Sequence, residues 1–152
     1  QAWSSAASDV YKRQVQIFTD LRNKGVDIEI IVPGKYIDTF LSKYAGEYYY
    51  DYLLRIGIQI HRYEKTMIHT KIIIIDDDIC CIGSGNFNQR SMRKDDEINV
   101  IIHDYGITSE LKKDFAEDLS CSNKIEYSQW INRSFFKKMG ESIIHFFLEK
   151  DV

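Results

Sequence analysis

The residues best equipped for chemistry lie in one stretch, MIHTKIIIIDDDICCIGSGNFNQRSMRKDDEINV, from Met67 to Val100. His69 and Lys71 are separated by a single residue, so on an extended strand both side chains leave the same face. An imidazole titrates near neutrality and a lysine ammonium is a standing positive charge. Together they can attack or protonate a phosphodiester while neutralising its oxygens. Ser84 sits between Gly83 and Gly85, and Asn86 follows. The glycines keep side chains clear where a phosphate must approach the backbone. A hydroxyl, an amide and nearby N–H groups can then hold the non-bridging oxygens, as stabilisation of a charged transition state requires. Glu97 is the expected acceptor for one ring N–H of His69, which leaves the other nitrogen free to react. Asp76, at the far end of the His69 strand, is expected to hold the turn. Arg90 and Ser91 are expected to anchor the loop beneath the site.

Two apolar runs, Met67–Ile75 and Ile79–Ile82, flank the acidic turn Asp76–Asp77–Asp78 and predict a β-hairpin buried on both faces. With a two-residue loop at Asp77–Asp78, Lys71 falls opposite Ser84 and His69 opposite Asn86. Directly opposed residues share a face, so the four groups would converge. Upstream, Val15 to Lys24 reads as a short amphipathic helix closed by Gly25, Val26–Val32 as a strand before Pro33–Gly34, and Tyr36–Arg55 as a helix ended by Gly57. Ile58–His61 and Glu97–His103 read as strands; Ile107–Leu119 and about Ser128–Lys150 read as helices. In the last of these, Ile131, Phe135, Met139, Ile143 and Phe147 make an apolar stripe, better suited to packing on a sheet than to lying on lipid. Alternating helices and strands predict an α/β domain, a mixed β-sheet flanked by helices on both faces. Residues 15–152 form one such domain; residues 1–14, small and polar and then basic, read as a disordered tail or a gene-assembly scar.

At 152 residues, with 44% hydrophobic and 28% charged residues, the chain has the composition of a soluble globular domain. Its net charge of −3 provides no global basic field for nucleic acid or an anionic membrane, so an anionic substrate must be drawn by local donors. Three cysteines, two of them adjacent, suit free thiols in a reducing compartment. No run approaches the roughly 20 apolar residues of a membrane span. His61, His69, Cys80 and Cys81 lack zinc-ligand spacing, and the acidic triplet lacks the ligand series of a calcium loop. No metal is expected.

His69, Lys71, Asp76, Gly83, Ser84 and Asn86 match the pattern H-x-K-x4-D-x6-G-S-x-N position for position. The chain thereby resembles the phospholipase D superfamily. IIVPGKYID, YYYDYLLRIGIQIHRYE, GSGNFNQRS and DEINVIIHD, with the tail around Trp130, make it similar to the C-terminal half of bacterial cardiolipin synthases. The likeness runs from about Val15 to Phe147. It departs at Asp95, where that group usually has asparagine, and at Asn88, where aspartate is common. The resemblance implies an α/β/α sandwich and a two-step transfer that uses neither metal nor organic cofactor. One histidine attacks phosphorus to form a phosphohistidine, and a second protonates the leaving oxygen and then activates the acceptor. For a cardiolipin synthase the donor and acceptor are phosphatidylglycerol molecules. The site needs two motifs and this sequence carries one, so the partner is a second half-site, from a second copy or from a missing N-terminal half. The implied location is peripheral, on the cytoplasmic side of a membrane. Two alternatives share the pattern: a homodimeric phosphodiesterase or endonuclease acting on nucleic acid, and an inactive lipid- or nucleic-acid-binding relative.

Overall fold

The structure is a computed structural model that describes residues 2–37, 47–86, 91, 94–134 and 139, with side chains described from Arg13 onward. Helix α1 spans Ala2–Asn23. It begins well before the expected Val15 and takes in the segment set aside as a tail; Ala2, Ala6 and Ala7 are strong helix formers. It ends at Gly25, whose φ of 83° needs a residue without a Cβ. Strand β1 (Glu29–Pro33), helix α2 (Tyr50–Arg55) and strand β2 (Gln59–Tyr63) follow. Part of the long helix expected over Tyr36–Arg55 falls outside the described residues. Its end lies where expected, at Gly57 with φ 85°.

β1 and β2 run parallel, and β2 pairs antiparallel with the three-residue strand β6 (Ser122–Lys124). The polar sequence Ser-Asn-Lys carries no strand signal; β6 exists because the edge of β2 offers it backbone partners. Ile58, Ile60, Leu53, Leu54, Ile125 and Trp130 form the buried core, with Phe18, Ile30 and Val32 packed against it. Ile58 and Ile60 are almost fully buried, and each contributes about 1.5–3 kcal/mol. Trp130 arrives on the short helix α4 (Tyr127–Ile131). Most of the apolar stripe expected beyond Ile131 lies outside the described residues.

The second sheet holds the motif. β3 (Ile72–Ile75), β4 (Ile79–Gly83) and β5 (Asn99–His103) pair antiparallel in the order β3-β4-β5. Among the described residues the strands form two three-stranded sheets, the first of them mixed, within the expected α/β class. Helix α3 (Tyr105–Ser120) touches strands of both. Asp104 caps it, its Oδ1 accepting from the Ile107 N–H at 2.8 Å. Ile74, Cys80 and Ile102 stand side by side across the second sheet, and Cys80 is fully buried under α3. The opposite face is open: Ile73 is 53% and Ile101 76% exposed. The hairpin is therefore buried on one face, not two, because α3 covers only one side among the described residues.

Candidate active site

The hairpin register differs from the expected one by a residue. Ile75 pairs with Ile79 and Ile72 with Ile82, so all three aspartates lie in the turn. Asp76 takes a left-handed backbone, φ 50°, which aspartate tolerates better than most residues. The other two are tied down: Lys112 Nζ reaches Asp77 Oδ1 at 2.5 Å, and His103 Nε2 lies 2.8 Å from Asp78 Oδ2. Lys112 also donates to the Asp76 carbonyl at 3.4 Å. Asp76 thus lies within a three-residue turn and not at the end of the strand that precedes it. Lys71 consequently lies beside Gly83, whose N–H donates to the Lys71 carbonyl at 3.1 Å. The expected oppositions of Lys71 with Ser84 and His69 with Asn86 do not occur.

His69 and Lys71 precede β3 instead of lying within a strand. Lys71 Nζ nevertheless sits 3.0 Å from His69 Nδ1 and 3.1 Å from Nε2, and donates to the His69 carbonyl at 2.8 Å. An ammonium equally near both ring nitrogens lies along neither lone pair. It sets a positive charge against the imidazole without locking either nitrogen.

Ser84 follows the last residue of β4 and turns toward the chain leading into β5. Its hydroxyl donates to Glu97 Oε2 at 2.5 Å and accepts from the Ile98 N–H at 3.1 Å. Ser91, buried, lies near enough to Glu97 to influence its carboxyl. The hydrogen bond from Ser84 and then the nearby Ser91, with a smaller contribution from the Lys71 charge, hold the Glu97 carboxyl below the usual carboxylate range. Glu97 thus accepts from Ser84, and no hydrogen bond among the described residues joins it to the ring of His69.

Two linked pairs result: His69 with Lys71, and Ser84 with Glu97, joined by the field between Lys71 and Glu97. Asn86 is exposed, and no hydrogen bond among the described residues ties it to either pair. Arg90 lies outside the described residues. Arg62 and Lys65, preceding the motif, are engaged elsewhere, with Glu47 at 2.6 Å and Glu117 at 3.7 Å. One site neighbour escaped sequence reasoning. Asn99 pairs with Gly83, and its carboxamide lies against both Gly83 and Gly85. Its place two residues after Glu97 was the available signal.

A three-stranded hairpin sheet under one helix, with a glycine-flanked serine, a carboxylate and an imidazole–ammonium pair at one end, defines the architecture. Nuc from Salmonella typhimurium, a phospholipase D family member, has a similar fold. The TM-score is 0.63 over 74% of this chain and 72% of that one, at 19% identity. The family described as the phospholipase D-like domain of cardiolipin synthase matches residues 7–119, and the chain belongs to that family. A cardiolipin synthase of Clostridium perfringens is 34% identical over 120 residues, covering 79% of this chain and 25% of the relative. The major cardiolipin synthase ClsA of Bacillus subtilis is 34% identical over 119 residues, covering 78% and 24%. The chain thus spans about a quarter of the length of these relatives.

Proposed function

We propose that the chain supplies one half-site of a phosphatidyltransferase of the cardiolipin synthase type, acting on phosphatidylglycerol. The observation that carries this reading is the Lys71 ammonium held 3.0 Å from the ring of His69, at the end of the hairpin that presents the Gly-Ser-Gly loop. Kinship with the cardiolipin synthases supports a lipid substrate.

The reaction runs in two displacements. An imidazole nitrogen attacks the phosphorus of one phosphatidylglycerol, forming a P–N bond as the bond to the glycerol oxygen breaks. A histidine of the second half-site gives its proton to that leaving oxygen. It then takes the proton of a primary hydroxyl on a second phosphatidylglycerol, whose oxygen attacks phosphorus; the P–N bond breaks and cardiolipin leaves. Dividing the transfer in this way replaces one difficult step by two easier ones. Lys71 neutralises the phosphate oxygens throughout. The second half-site comes from another copy of the chain or from a longer protein to which this sequence belongs. His69 takes one of the two histidine roles. The open isoleucine face beside Lys71 gives such a partner an apolar surface next to the site. No described helix is long and apolar enough to cross a membrane, which fits peripheral action on lipid, assigned here to the cytoplasmic side.

The test is incubation with phosphatidylglycerol vesicles in excess chelator, with a parallel arm on DNA. Cardiolipin and free glycerol should appear in equal amounts, unaffected by chelator. His69→Ala should lower the rate by at least about a hundredfold without moving the thermal melt. Turnover of DNA but not lipid would favour the endonuclease reading, binding of either without turnover the inactive relative, and abolition by chelator would overturn the metal-free route.

A further inference from the structure

Lys71, Gly83 and Asn99 occupy one row across the second sheet. Gly83 pairs with Asn99, and the Gly83 N–H donates to the Lys71 carbonyl. With neighbouring strands about 4.8 Å apart, Lys71 and Asn99 flank the glycine, and alternation puts their side chains on its same face. A Cβ on Gly83 would fall on the Asn99 Oδ1 and on the Ile98 carbonyl; one on Gly85 would lie 3.1 Å from Asn99 Nδ2 and 3.3 Å from Oδ1. The Asn99 carboxamide and the backbone beside it leave no room for a side chain at Gly83, and the carboxamide crowds one at Gly85.

The donors around this loop are unequally occupied. The Ser84 hydroxyl proton is committed to Glu97, and the Ile98 N–H to Ser84. An anion on the Glu97 side would meet an ionised carboxylate. On the Lys71 side it meets an ammonium and an exposed carboxamide with two N–H donors and no hydrogen bond to another described residue. We propose that Asn99 is a further phosphate-binding residue, its carboxamide donating to a non-bridging oxygen of the phosphate that Lys71 neutralises. This rests on the phosphodiester reading of the site and adds the residue that places the phosphate on one side of the Gly-Ser-Gly loop.

The test uses inorganic phosphate as the probe, titrated into the chain and followed by amide chemical shifts, with Asn99→Asp, Asn99→Ala and Lys71→Met beside the wild type. Aspartate keeps the shape that fills the space over the glycines but replaces two donors with a negative charge. Asn99→Asp should weaken phosphate binding about tenfold or more, and Asn99→Ala less, with thermal melts unchanged. A merely structural role predicts the reverse order: alanine damaging, aspartate silent. Equal binding by wild type and both Asn99 variants, with loss in Lys71→Met, would overturn the assignment and leave the phosphodiester reading standing. Loss in Asn99→Asp without loss in Lys71→Met would support Asn99 and count against the Lys71 role. Wild type that binds no phosphate would overturn both.

Discussion

Glu97 carries the clearest electrostatic signature in the site. The Ser84 hydroxyl donates to its carboxylate, and with Ser91 as a lesser cause its pKa lies below the ordinary value. Since the folded-state pKa is depressed, the stabilisation from this bond is complete above the ordinary carboxylate value and disappears as pH falls through the depressed one. At neutrality the pair is intact. Ser84→Ala should therefore raise the titration midpoint of Glu97, read from its side-chain carboxyl carbon by NMR; an unmoved midpoint would remove Ser84 as the cause. At this scale the sequence picks out His69 with Lys71 and Ser84 with Glu97, which lie together in the structure, but is a weaker guide to what each touches. His69 and Lys71 stand together because they lie one residue apart. Glu97 meets Ser84, a partner that spacing does not reveal, because a carboxylate at a strand entrance can face several donors. Asn99 stays hidden because its one sequence signal, its place two residues after Glu97, carries little meaning until the facing residue is known to be glycine.

The hairpin turn decides the register, and with it the neighbours of every motif residue. A three-residue turn through Asp76, with φ 50°, sets Lys71 beside Gly83. Asp76→Gly should preserve this turn, whereas Asp76→Val should cost about 1–2 kcal/mol in denaturant unfolding, because a β-branched side chain opposes the left-handed conformation. Equal stabilities would mean that the turn is not held at Asp76. Hydrophobic runs located the hairpin correctly. They could not set the register, because IIII opposite ICCI looks much the same after a slip of one residue. Periodicity found α3 almost at its true bounds, since Asp104 supplies a cap and the helix has a buried side to satisfy. β6 stayed hidden because its stability comes from β2 and not from its own residues.

At the scale of the molecule, α3 bridges two small sheets, and the site sits at the end of the one whose outer face is open. The α/β class was legible from alternation; the division into two sheets was not, because pairing between distant strands leaves no local trace. A site built on the edge of such a unit is suited to completion by a second half. Native mass measurement should detect self-association if that half is another copy, and Ile101→Lys should weaken it by placing charge on the open face. The central claim, that His69 is one of the two histidines that relay the phosphatidyl group, is tested most directly by alkaline-quenched intact-mass analysis during turnover of phosphatidylglycerol. In a form made of paired identical chains, a phosphatidyl adduct should appear on His69 in no more than half of them, and in none of the His69→Ala chains. Undiminished turnover by His69→Ala, with no adduct on His69 in the wild type, would contradict the account.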